Sequence, residues 1–86
     1  ERHLLTCGGE PLPLTVTEFS LLQVLLSRPG RVMTRAGLVE AVYSVGHHIT
    51  ERTIDTHVRR IRAKFRPFDH DPIETVFGVG YKGREV

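Results

Sequence analysis

Apolar side chains recur at helical spacing through the middle of this chain and in short paired runs at both ends. Between His3 and Leu14, the runs Leu4-Leu5 and Leu12-Pro13-Leu14 flank Gly8-Gly9-Glu10-Pro11. The glycine pair supplies turn conformations that other residues avoid, so the pattern predicts a short antiparallel hairpin. Pro11 and Pro13 cannot donate to a ladder, which puts the second strand at an edge. Thr15-Val16-Thr17-Glu18 then matches a capping box, with the Thr15 hydroxyl on the Glu18 amide and the Glu18 carboxylate on the Thr15 amide. A first helix over 16–27 follows. Its stripe is Phe19, Leu22 and Leu26, with Leu21 and Leu25 alongside, and Pro29-Gly30 stops it.

After a short extended Arg31-Val32-Met33, Thr34 is placed to cap a second helix over 35–43, with Leu38, Ala41 and Val42 on one face. Gly37 costs that helix about 1 kcal/mol relative to Ala without abolishing it. Ser44 to Ile49 shows no period and reads as a loop. Thr50 is placed to cap a third helix, where the pattern is cleanest. Ile54, Val58, Ile61 and Phe65 fall within about 60° of one another at 100° per residue. Pro67 ends this helix. Ile73 to Val76 and Tyr81-Lys82 then read as two strands of a terminal hairpin, joined through Phe77-Gly78-Val79-Gly80.

Length sharpens this outline. A chain of 86 residues buries only roughly 60% of the surface its unfolded form exposes, so it supports one small core. A second domain and a deep enzyme cleft are excluded. One cysteine, Cys7, has no partner thiol, which fits a reducing compartment. No apolar run reaches the ~18 residues of a membrane span, and Glu1-Arg2 does not open a secretory signal. The expectation is a soluble, cytoplasmic protein without membrane contact, and the missing initiator Met predicts a piece of a longer chain. His47, His48, His57, His70 and Cys7 have no metal-ligand spacing, so neither metal nor cofactor is expected.

Charge changes the picture more. The formal net charge is only +2. Residues 1–51 carry four basic and five acidic groups, residues 52–66 six basic and one acidic, and residues 67–86 two basic and four acidic. The net positive charge is therefore concentrated on the third helix. Opposite its apolar stripe stand Arg52, Thr56, Arg59 and Ala63, flanked by Arg60 on one side and by Asp55, Arg62 and Arg66 on the other. The DNA major groove admits a helix with small residues at its centre and guanidinium groups at its edges. Arg can chelate a guanine or neutralise a phosphate. A solvated charged face is the alternative, and the concentration of charge, the small central residues and the Gly-rich hairpin argue against it. Asp55, one turn before Arg59, can hold that guanidinium or can act as an acid near the helix dipole; the residues leave both readings open.

Four separated segments, in order, carry a resemblance. They are Leu14-Thr15-x-x-Glu18-Phe19-x-Leu21-Leu22; Arg28-Pro29-Gly30-x-Val32-x-x-Arg35-x-x-Leu38; Glu51-Arg52-Thr53-Ile54-Asp55-x-His57-Val58-x-Arg60-Ile61-Arg62-x-Lys64; and Ile73-x-Thr75-Val76-x-Gly78-Val79-Gly80-Tyr81-Lys82. Over residues 2 to 83 the chain resembles the OmpR/PhoB-type winged-helix output domain of bacterial two-component response regulators. The resemblance implies an α+β winged helix-turn-helix: a four-stranded N-terminal antiparallel sheet, three helices and a C-terminal hairpin wing. The chain would begin inside that first sheet.

By the same resemblance, residues 51–66 form the recognition helix, with Arg52, Thr56, Arg59 and Arg60 at the groove or its rims. Arg66 joins this DNA-binding set, and Arg62 is either a phosphate contact or a structural one. From the wing, Thr75, Phe77, Tyr81 and Lys82 would face the sugar-phosphate backbone, with a core role as an equal reading for Tyr81. Phe77 departs from the family pattern, which has Arg there. Either the wing reads little, or Lys82 and Arg84 take over phosphate contact, or the ring packs as an apolar wedge. Val45, Gly46, His47 and His48 fall in a loop that touches RNA polymerase in the family; the alternative is a plain connector. The implied function is sequence-specific binding of double-stranded DNA and regulation of transcription within a phosphorelay, as a head-to-tail homodimer on direct repeats. A receiver domain would lie elsewhere in the full chain. Another class remains open, a protein-interaction module whose basic helix takes an acidic protein. Catalysis has little support, because Ser20, Ser27 and Ser44 lack a nucleophile elbow or a paired base.

Overall fold

Helix α1 (Val16–Ser27) starts where the sequence predicts, and its cap is fully formed. The Glu18 amide donates to Thr15 Oγ1 at 3.1 Å and the Thr15 amide donates to Glu18 Oε1 at 3.1 Å. This computed structural model describes residues 2–7, 10–44, 46 and 48–84, with side chains from Pro13 onward. Ahead of α1, β1 (Arg2–Cys7) pairs antiparallel with β2 (Glu10–Thr15), from Arg2↔Thr15 to Cys7↔Glu10. Pro11 and Pro13, two positions apart, put both donor-less nitrogens on one edge of β2 and leave the other edge to pair with β1. The described residues thus form a two-stranded N-terminal sheet, a part of the four-stranded one that the resemblance implies, as expected.

The remaining elements are β3 (Met33–Thr34), α2 (Arg35–Ser44), α3 (Glu51–Phe65), a 3-10 turn (Arg66–Phe68), β4 (Ile73–Val76) and β5 (Gly80–Gly83). Thr34 caps α2 as expected, its hydroxyl accepting from the Gly37 amide at 3.0 Å. Thr50 occupies the N-cap position of α3, but the closing hydroxyl belongs to Thr53, which accepts from the Thr50 amide and donates to the Thr50 carbonyl. At the other end, Pro67 sits in the first turn of the 3-10 segment, where its missing N–H costs nothing, and α3 itself stops at Phe65.

The core gathers one face from each element: Leu14; Leu21, Leu22 and Leu25 of α1; Leu38 and Val42 of α2; Ile54, Val58, Ile61 and Phe65 of α3; and Ile73 and Tyr81 of the hairpin. All four stripe residues predicted on α3 are buried. On α1 the buried face is centred on Leu21, Leu22 and Leu25, and Phe19 and Leu26 are only partly covered.

The terminal hairpin is larger than its two predicted strands. β3 adds to it, giving the order β3-β5-β4, with Met33 opposite Tyr81 and Thr34 opposite Gly80. This packing demands glycine at two points. A Cβ on Gly80 would lie 2.0 Å from the Met33 carbonyl oxygen, and one on Gly83 would lie 2.5 Å from the Leu25 carbonyl oxygen. Backbone of the neighbouring element occupies both places, so neither clash is relieved by a side-chain rotation. Gly80→Ala and Gly83→Ala should each lower the free energy of unfolding by about 2 kcal/mol or more. Urea titrations with unchanged m-values read that loss.

Candidate nucleic-acid interface

Helix α3 is held to the body of the protein at several points besides its apolar stripe. Near its N-terminal half, Asp55 accepts from Arg35 of α2, at 3.0 Å from Nε and 3.4 Å from Nη2, and from the Tyr81 hydroxyl of β5. The Arg35 guanidinium also lies over the Tyr81 ring, 5.6 Å from its centroid. Toward its C-terminal end, Arg62 donates to Asp71 Oδ1 at 3.1 Å, to Thr75 Oγ1 at 2.9 Å and to the Ile73 carbonyl at 2.5 Å. Lys64 reaches Glu18 of α1 at 2.5 Å. Glu18 is 2% exposed. Burial alone would raise its carboxyl pKa, but the Lys64 ammonium, the Thr15 amide and the charge of His57 together hold it below its ordinary value.

These contacts bear on several sequence expectations. Asp55 neither holds Arg59 nor acts as an acid at the helix start; its oxygens go to Arg35 and Tyr81. Arg62 makes structural contacts, with all three guanidinium nitrogens bonded inside the protein. Tyr81 has its ring in the core, 5% exposed, and its hydroxyl donates to Asp55. Thr75 accepts from Arg62. Three groups that matter here were not among the predicted site residues: Arg35, the pairing of Glu18 with Lys64, and Asp71. Lys64 lies 46 residues from Glu18, and no local periodicity reports such a pair.

What remains on the outer face is sorted by that accounting. Of the six cations in residues 52–66, Arg62 and Lys64 are internally paired. Arg52, Arg59, Arg60 and Arg66 are exposed, and no ion pair or hydrogen bond among the described residues takes their guanidinium groups. Arg52, Thr56, Arg59, Ala63 and Arg66 follow spacings of four, three, four and three, so they form a straight stripe about 20 Å long at 1.5 Å rise per residue. Thr56 is half-buried and Ala63 exposed, which keeps the middle of the stripe low. His57 adds little charge near neutrality. Burial and the charge of Arg60 push its pKa down, Glu18 only partly opposes them, and its Nδ1 is buried without a partner.

The wing differs in character. Its tip is closed by the Val79 amide donating to the Val76 carbonyl at 3.0 Å, with Gly78 at φ 79° in the left-handed region this turn requires. Phe77 projects from it, 90% exposed. Lys82 lies 3.9 Å from Glu74, and Arg84 lies 3.6 Å from Glu74 and 3.9 Å from Asp71. Both wing cations therefore have carboxylates beside them. In the loop between α2 and α3, the Gly46 amide donates to the Tyr43 carbonyl, and His48 stands edge-on to the exposed Tyr43 ring at 4.8 Å. Val45 and His47 lie outside the described residues.

A three-helix body with a helix-turn-helix and a C-terminal hairpin beside the exposed third helix defines a winged helix. Residues 9–83 match the family described as transcriptional regulatory protein, C terminal, and the chain belongs to that family. It is 39% identical over 84 residues to the sensory transduction protein RegX3 of Mycolicibacterium smegmatis, covering 95% of this chain and 37% of that one. It is 38% identical over 81 residues to the phosphate regulon transcriptional regulatory protein PhoB of Escherichia coli, covering 93% and 35%. The chain thus spans little more than a third of the length of these relatives. Among solved structures, the C-terminal domain of the nisin resistance regulator NsrR superposes with a TM-score of 0.86 at 31% identity, covering 96% of this chain and 86% of that one. The DNA-binding domain of the response regulator AdeR, solved in complex with an intercistronic region, gives 0.80 at 28% identity, covering 98% and 87%.

The buried Glu18 carboxylate makes the mounting of α3 sensitive to acid. Its folded pKa is below the ordinary 4.5. Its contribution is therefore complete above that pH and is lost as pH falls through the folded value. Glu18→Gln should cost roughly 1–2 kcal/mol at pH 7, and the fall in melting temperature expected of the unaltered protein below pH 4.5 should be flatter in this variant.

Proposed function

We propose that this chain is the DNA-reading output domain of a two-component response regulator, with α3 in the major groove of double-stranded DNA. One observation carries the reading: four arginines without internal partners line the outer side of α3 and its C-terminal end, while Asp55, Arg62 and Lys64 are tied to the body of the protein. A charged face serving only for solubility would be expected to intersperse both signs, whereas here the acid on α3 nearest the stripe is already neutralised by Arg35. Arg59 and Arg52 suit base edges or the groove rim, and Arg60 and Arg66 suit the flanking phosphates. In this reading Thr56 offers a methyl and a hydroxyl at the centre of the groove. The solved complex of the related AdeR domain with DNA supports the same assignment.

The wider context is part of the same proposal. A receiver domain elsewhere in the full chain would couple phosphorylation to DNA occupancy, in the cytoplasm. Two copies would sit head to tail on direct repeats, since one short helix reads few base pairs. The loop containing Gly46 and His48 would face RNA polymerase. Function here means binding rather than turnover, and the unit acts as one domain over residues 1–86. For the wing, Thr75 and Lys82 act through the sugar-phosphate side, Thr75 and Tyr81 hold α3 from within the protein, and Phe77 supplies no charge.

With four to six phosphates neutralised, log K for duplex DNA should fall by roughly 4 to 5 per unit of log salt. Salt-independent binding, or preference for an acidic peptide over random duplex, would overturn the reading. Arg59→Ala should cost about 1–3 kcal/mol and relax preference at a single base position; an equal loss on all sequences would make Arg59 a phosphate contact instead. Phe77→Arg should tighten binding at low salt and steepen the salt slope by about one unit. An unchanged slope would place the wing tip away from the duplex.

A further inference from the structure

Asp55 and Arg59 lie one helical turn apart with the acid on the N-terminal side, the arrangement in which such pairs attract across a helix surface. Yet they are not bonded. Asp55 Oδ1 accepts from Arg35 Nε and from the Tyr81 hydroxyl, and Oδ2 accepts from Arg35 Nη2. Arg59 is exposed and takes no hydrogen bond or ion pair among the described residues. Arg35 is itself steered, because its guanidinium sits against the buried ring of Tyr81.

Resting on the DNA-binding reading above, we propose that Arg35 and Tyr81 are positioning residues for Arg59. By occupying the Asp55 carboxylate from α2 and from β5, they keep it from capturing the neighbouring guanidinium, which stays extended toward a base. The device works through competition. The Asp55 carboxyl is held below its ordinary value first by the Tyr81 hydroxyl, then by Arg35, with Arg59 contributing less; the i,i+4 spacing puts Arg59 within reach of the carboxylate if its present partners leave. Neither Arg35 nor Tyr81 needs to touch DNA to set selectivity. A base-reading arginine folded back on Asp55 keeps its charge near the duplex, so discrimination between sequences should suffer more than overall affinity.

The test compares the unaltered chain with Tyr81→Phe, Arg35→Gln, Arg59→Ala and the double variant Arg35→Gln/Asp55→Asn. The probes are a duplex selected by the unaltered chain from a random pool and a scrambled duplex of equal composition. Tyr81→Phe and Arg35→Gln should lower the ratio of the two affinities toward that of Arg59→Ala, by about fivefold or more for the Arg35 variant. The double variant lacks the same ion pair and so shares any loss of stability. It should nevertheless recover the ratio to within about twofold, since a neutral amide no longer attracts the guanidinium. Equal loss in the single and double Arg35 variants, or full discrimination in Arg35→Gln, would overturn the proposal. The Arg59 Nε–H resonance of the free protein gives a reading without DNA. It should show a new hydrogen bond in Arg35→Gln and none in the double variant. A chain that binds no duplex but shows that change would refute the DNA reading and retain the competition for Asp55; a resonance unchanged in Arg35→Gln would refute the competition.

Discussion

A helix carrying five cations in fifteen residues, with a sixth just past its end, must be held against an apolar core, and the rest of the structure follows from how that is done. Ile54, Val58, Ile61 and Phe65 supply the hydrophobic half of the answer. Burial of each side chain contributes roughly 1.5–3 kcal/mol, but an apolar stripe is non-directional and leaves rotation about the helix axis only loosely set. Orientation comes from charged contacts at defined points: Asp55 to α2 and β5, Arg62 to β4, and Lys64 to α1. Each points sideways from the stripe. Together they stop the helix rolling, so the outward row keeps one direction relative to the wing.

The acids of this protein act as a sorting device. Glu18, Asp55, Asp71 and Glu74 lie where they engage Lys64, Arg35, Arg62, Lys82 and Arg84. Among the cations on α3 and just past its end, Arg52, Arg59, Arg60 and Arg66 escape. Exposed pairs of this kind contribute little to stability, typically 0–1 kcal/mol, and only Glu18 is buried enough to matter more. Their larger effect is to decide which guanidinium groups remain available to a polyanion. The same reasoning explains why the net charge of the whole chain says so little: acids cancel cations in the total, while geometry determines which cations they neutralise.

Much of this was legible in the residues themselves, and the boundary is physical. The capping box at Thr15, the α3 stripe and the stop at Pro67 are local patterns, readable because helix periodicity and proline stereochemistry act within a turn or two. β3 was not legible as a strand; two residues carry no period, and Met33 pairs only because Tyr81 arrives from 48 positions away. Asp55 shows how a sound local rule fails. Its spacing to Arg59 invites an i,i+4 pair, but a bidentate guanidinium and a buried phenol compete better than a mobile surface side chain. The outward placement of Arg52, Arg59, Arg60 and Arg66 could be read from angle alone. That Arg62 would face inward could not, because its partners Asp71, Ile73 and Thr75 lie beyond the turn that ends the helix.

The wing completes the same electrostatic logic from the opposite direction. Lys82 and Arg84 sit beside Glu74 and Asp71, and the apex bears Phe77 and the half-exposed Val79 in place of charge. Long-range attraction to a polyanion is therefore concentrated on one helix instead of being divided between helix and hairpin. In the proposed DNA complex, α3 would supply the salt-dependent part of affinity, and the hairpin would act mainly as a brace through Thr75 and Tyr81. Such a division makes the interface sensitive to the rotation of a single element. It follows that residues fixing that rotation, Arg35 and Tyr81 at one end and Arg62 at the other, influence recognition from positions that need not reach the duplex.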